Sequence, residues 1–67
     1  MKISFDPKAD AMRITFQEGE YDISREVEEG IIVDMTKDNE IIAIEILDVS
    51  EKMPKNNIKD ITIILAN

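Results

Sequence analysis

Asp34-Met35-Thr36-Lys37-Asp38-Asn39-Glu40-Ile41-Ile42-Ala43-Ile44-Glu45 (DMTKDNEIIAIE) sets oxygen-bearing side chains at positions 1, 3, 5, 7 and 12 of a twelve-residue window. That is close to the ligand spacing of an EF-hand calcium loop, which sits between two helices and turns sharply at a glycine in position 6. Here Asn39 holds position 6 and the flanks alternate like strands: Ile31, Val33 and Met35 before, Ile42, Ile44 and Ile46 after. Laid out as a hairpin, Glu45 lies roughly 10 Å along the ladder from Thr36, at about 3.3 Å per residue, too far to close a cage with Asp38. The stretch reads as a β-hairpin with an acidic tip. Asp and Asn both tolerate the positive φ of such a tip. With Asp38-Asn39 at the turn, or a four-residue loop from Lys37 to Glu40, Met35 faces Ile42, Val33 faces Ile44 and Ile31 faces Ile46. All six then fall on one side, and a slip of one residue would move every one of them to the other.

Working outward, period two continues through Met12, Ile14 and Phe16, and β-branched residues dominate these runs. In FDPKADAM, Asp6-Pro7 opens a turn that sets Phe5 opposite Met12 and Ile3 opposite Ile14, Pro having its φ already fixed. Gly19 marks the next turn, and Tyr21, Ile23 and Val27 carry a weaker strand towards Glu29-Gly30. After Leu47 the alternation stops. Asp48 or Ser50 is placed to cap a short helical turn over Glu51, Lys52 and Met53, ended by Pro54. Ile61, Ile63 and Leu65 make a candidate last strand. The fold class is mainly β: an antiparallel meander of five or six short strands with one short helical segment after residue 47.

With 67 residues and no linker or repeat, the chain reads as a single domain spanning 1–67. A domain this small buries only about 60% of its unfolded surface. It lacks cysteine, so disulfides and thiolate zinc sites are excluded. Association with further copies becomes the favoured staple, a homodimer or other homo-oligomer. Fifteen acidic against eight basic residues give a formal charge of −7, which opposes phosphate backbones; direct binding to nucleic acid or to a membrane surface is not expected, and a basic protein is the better electrostatic match. No apolar run approaches the length of a membrane span and no signal-peptide core opens the chain, so the expected compartment is the cytoplasm.

FDPKADAMRITF and EVEEGIIVDMTKDNEIIAIEILDVS together resemble the small prokaryotic family catalogued as domain of unknown function 2283. Its members show an Asp-Pro-x-x-Asp-x-Leu-Tyr-Ile start, a Gly-Val-Ile-Val-Asp strand, an Asp-Gly turn and a Gly-Ile-Glu-Ile-Leu-x-x-Ser ending. The resemblance covers Ile3 to Ser50. Asp6, Pro7, Asp10, Asp34, Ile44, Glu45, Ile46, Leu47 and Ser50 fit; Met12-Arg13 stands for Leu-Tyr, Asn39 for the turn glycine and Ala43 for the glycine before Ile44. The resemblance implies a small β-rich protein without an established activity. It also implies frequent genetic neighbours that resemble toxins, and so an antitoxin-like binder of a basic partner.

Catalysis needs a nucleophile, base or metal held in geometry, and this sequence has no histidine or cysteine to supply one. Asp6 and Asp10 read as turn residues, and Asp34 and Glu45 as members of a solvated, non-core face. No catalytic residue, metal ligand or cofactor is assigned. A carboxylate-based metal-binding or catalytic protein using the acidic residues of the 34–45 hairpin is the alternative. The second face is apolar where a solvated face should be polar, at Ile32, Ile41, Ala43, Leu47 and Ile64. Either the chain around Met53 and Ile58 covers it or another molecule does. The expected function is a non-enzymatic, self-associating interaction module, with Ile32, Ile41, Ala43, Glu45 and Leu47 as its candidate surface.

Overall fold

The computed structural model describes residues 1–54 and 63–64. Strands β1 (Lys2–Asp6), β2 (Ala11–Thr15), β3 (Ile23–Glu28), β4 (Ile31–Met35) and β5 (Ile41–Ile46) precede one helical turn, α1 (Val49–Lys52). The strands form one antiparallel, meander-like sheet in the order β1-β2-β5-β4-β3. The hairpin β1–β2 and the meander β3–β4–β5 are joined by residues 16–22, which carry the chain to the far edge so that β5 returns beside β2. Backbone bonds tie this connection down on its way: Phe16 N–H donates to the Ile42 carbonyl at 2.7 Å and Asp22 N–H to that of Met35 at 2.9 Å.

Registers follow the hydrophobic alternation. Ile3 lies opposite Ile14 and Phe5 opposite Met12, while Ile14 and Val33 both flank Ile44, and Met12 and Ile31 both flank Ile46. One face, here the first, therefore carries a continuous apolar field across four strands. The expected pairing of Met35 with Ile42 is corrected. Met35 pairs with Ile41, and the ladder shifts between Asp34 and Met35. The cause lies in the loop. Asn39 N–H donates to the Thr36 carbonyl at 3.0 Å and Thr36 N–H to the Glu40 carbonyl at 2.9 Å, so the loop holds three residues, with Asn39 at φ 66° in the left-handed region. That odd count displaces the register at the tip. Ile42 is the extra residue of a bulge that restores it.

The helix cap is also corrected. Asp48 stands at the N-cap with φ 51° and makes no side-chain cap bond. Instead Asp10, forty residues earlier, supplies the carboxylate: Ser50 N–H donates to Asp10 Oδ1 at 3.1 Å and Ser50 Oγ to Oδ2 at 2.7 Å, while Val49 N–H donates to the Asp10 carbonyl. The β1–β2 turn thus anchors the chain beyond β5, and Val49 is fully buried there. Gly30 turns β3 into β4 at φ 74°, a conformation L-residues rarely adopt. Of the proposed last strand, Ile61 and Leu65 lie outside the described residues, as does Ile58; Ile63 and Ile64 are exposed and carry no strand.

The core is small. Met12 and Ile42 on the first face, Ala43 on the second and Val49 beyond the sheet are the buried apolar residues, whereas Ile3, Ile14, Ile31, Val33, Ile44 and Ile46 are only half-buried.

Candidate functional site

The second face is built from the rows Lys2–Thr15–Ala43–Asp34–Ser24 and Ser4–Arg13–Glu45–Ile32–Glu26, read across the strand pairs. Across β5 these rows bring a polar network together. Arg13 Nη2 donates to Asp34 Oδ2 at 2.9 Å, and Ser24 Oγ donates to Asp34 Oδ1 at 2.8 Å. Arg13 Nη1 lies 3.8 Å from Glu45 Oε2, a looser ion pair. Asp34 is only 7% exposed, so the expected solvated carboxylate is corrected: neighbours on both sides remove it from water and replace its hydration with two donors. Ala43, opposite both Thr15 and Asp34, is completely buried, and a small side chain there leaves room for Arg13 to reach across the strand.

The other residues of the expected surface divide. Ile32, Glu45 and Leu47 are half-buried, whereas Ile41, displaced by the bulge, is 44% exposed. Leu47, Glu45, Arg13, Ser4 and Asp6 line an open depression of about 390 Å³ on this face. Asp6 behaves as the turn residue it was read to be, accepting from Lys8 N–H at 3.0 Å, whereas Asp10 is spent on Ser50. Arg13 and Ser24 were not singled out in the sequence. Their signal exists in the register arithmetic, but only once β2 is known to lie beside β5, and alternation alone does not give the strand order.

Chemically the network is closed. Both Asp34 oxygens are taken, so a cation or a substrate proton would have to displace Arg13 or Ser24. Ser24 has a carboxylate for a neighbour and no imidazole between them to act as a base. Among the described residues no group of three or more acidic, histidine or cysteine side chains converges as a metal cage does. No helix there is long and apolar enough to cross a membrane.

The family model described as protein of unknown function (DUF2283) matches residues 2–50, well over half of the chain. Its span runs from the start of β1 to Ser50, the residue that Asp10 holds. No curated protein and no solved structure matches.

Proposed function

We propose that this chain, which belongs to the DUF2283 family, is a non-enzymatic interaction module that works in association with further copies of itself. One observation carries the reading: the described residues form a single sheet layer whose first face is apolar across four strands. A one-sheet domain has an apolar face that needs a second layer, and on that face Ile3, Phe5, Ile14, Ile31, Val33, Ile44 and Ile46 are half-buried while Met12 and Ile42 are buried.

Sedimentation equilibrium from low to high micromolar concentration tests this. The expected result is a mass above that of the monomer, with a Tm that rises with protein concentration. A monomer throughout, with a concentration-independent Tm, rejects it.

The finer, antitoxin-like version is favoured by where the charge lies. Glu18, Glu20, Asp22, Glu26, Glu28 and Glu29 are all exposed along residues 16–22 and the edge strand β3, with Arg25 the single base among them. Such a stripe steers a basic protein. If a small basic protein is encoded beside this chain, co-expression should give a complex that weakens with salt and with the Glu26→Lys, Glu28→Lys pair of changes. Persistence of the complex after both changes counts against this surface.

A further inference from the structure

Resting on the self-association proposed above, we infer the seam along which two copies join: β1 of one pairs antiparallel with β1 of the other about a two-fold axis through Ser4, so that two five-stranded sheets continue into one. β1 is a terminal strand, and among the described residues it pairs with β2 alone. Its outer side presents backbone N–H and C=O groups without a partner strand, the template for a further one. Lys2, Ser4 and Asp6 are exposed there. In the candidate last strand, the described residues Ile63 and Ile64 carry no strand and are 64% and 81% exposed. A two-fold pairing keeps like faces together when its axis passes through a residue, and the axis at Ser4 is the one that matches all five residues of β1. It sets Lys2 opposite Asp6 twice, Ile3 opposite Phe5 twice and Ser4 opposite its own copy. Opposite charges and apolar pairs directly across a ladder both favour it. Among the described residues the turn bonds of Asp6 go to Oδ1, from Lys8 and Ala9 N–H, which leaves Oδ2 to accept from the second copy's ammonium.

The opposite edge shows what protection against such pairing looks like. In a two-fold antiparallel pairing of β3 with its copy, an axis at Arg25 sets Arg25 opposite Arg25 and an axis at Glu26 sets Glu26 opposite Glu26. An axis at Ser24 sets Glu26 against Asp22, and an axis at Val27 sets it against Glu28. Each register opposes like charges, and the shift between Glu26 and Glu28 distorts the strand further. Proteins guard sheet edges with charge, proline and bulges. This chain applies charge and a bulge to β3, whereas β1 pairs with β2 without a shift and Pro7 lies beyond its end. The asymmetry also closes the assembly: once β1 is used in the seam, both outer edges are β3, and these repel one another. The seam adds nothing above or below the sheet, so it is independent of what lies over the first face. It leaves the acidic edge, the one that suits a basic partner, at each outer end.

The test combines mass with location on the full-length chain. Sedimentation should give a dimer and no larger species, and backbone hydrogen exchange should show protection of β1 amides that grows with protein concentration while that of β3 does not. Ser4→Lys and Ser4→Glu each place two like charges across the axis, and each should weaken the dimer about five-fold. An equimolar mixture of the two should associate more tightly than either alone, because unlike charges then meet at the axis. If either variant fails to fold by circular dichroism, Lys2→Glu, which opposes a carboxylate to Asp6, takes its place, and the wild-type exchange data decide the location. A dimer whose β1 amides exchange equally fast at all concentrations, or a mixture no tighter than its components, overturns the seam while leaving self-association standing. Masses that climb without limit overturn its two-fold closure. A wild-type monomer overturns both readings.

Discussion

The two faces of the sheet invert the usual relation between polarity and burial. On the second face a carboxylate, Asp34, is 7% exposed. On the first, isoleucines at the centre of an apolar field, Ile14 and Ile44 among them, are half-buried. The difference teaches that in a one-sheet domain burial is set by which neighbours reach over a position, not by the position's own polarity. Arg13 and Ser24 reach over Asp34 within the chain, whereas among the described residues no second sheet reaches over Ile44. Among the described residues the polar face is internally complete and the apolar one is not.

The largest effect should come from breaking the completed face. Arg13→Met leaves Asp34 buried with Ser24 as its remaining partner. Removing one member of a fully buried pair costs about 3–5 kcal/mol; because the Arg13 side chain is 39% exposed, the expected loss is nearer to about 2–3 kcal/mol by urea unfolding. Adding Asp34→Leu should recover most of it, since the double change removes the stranded charge. If Arg13→Met costs less than about 0.5 kcal/mol, as an exposed pair would, the network is a surface ion pair and the comparison fails.

Next in size is the junction where both faces end. Asp10→Ala removes the bonds that Ser50 N–H and Oγ donate to its carboxylate, and with them the only side-chain cap described for α1. A lost cap costs about 1–2 kcal/mol. The expected signature is faster amide exchange at Ser50 and Glu51 with the registers of β4 and β5 unchanged. Uniform loss of protection across the sheet would instead make Asp10 part of the global fold.

On the apolar face the effect should be smaller. Ile44→Val deletes one methylene from a half-buried residue, and even a buried Ile→Val change costs only about 0.5–1.5 kcal/mol. If the first face is the association surface, that cost should grow with protein concentration; if it is covered from within, it should not. A cost above that of Arg13→Met would reverse the order of the two faces.

How far the sequence disclosed this contrast depends on range. Strand positions and the pairing of Val33 with Ile44 and Phe5 with Met12 are local consequences of period two and short turns. The three-residue loop was hidden because Asn39 supports either an even or an odd count, and the Ile42 bulge restores the register whichever is used. The network was hidden because Arg13 and Asp34 are separated by 21 positions and meet only across β5. The cap was hidden for the same reason: Asp48 and Ser50 look like caps locally, while the carboxylate that serves comes from a turn forty residues back.

The smallest expected effect concerns the acidic spacing of residues 34–45. Calcium or magnesium at millimolar concentration should leave the Tm where an equal ionic strength of sodium chloride leaves it. Asp34 lies inward on the second face with both oxygens accepting from Arg13 and Ser24, and Glu45 lies beside the same guanidinium. Thr36 Oγ1 accepts from Asp38 and Glu40 N–H at 3.3 and 3.1 Å, holding the tip as a turn. A cation that bound the native state at 100 times its Kd would add about 2.7 kcal/mol, far above the resolution of a melting curve. A saturable rise that disappears in Asp38→Asn and Glu40→Gln would show that the tip recruits ligands on binding. A rise abolished by Asp34→Asn would go further, because it would mean that the cation competes successfully with Arg13 and that the polar face is not closed.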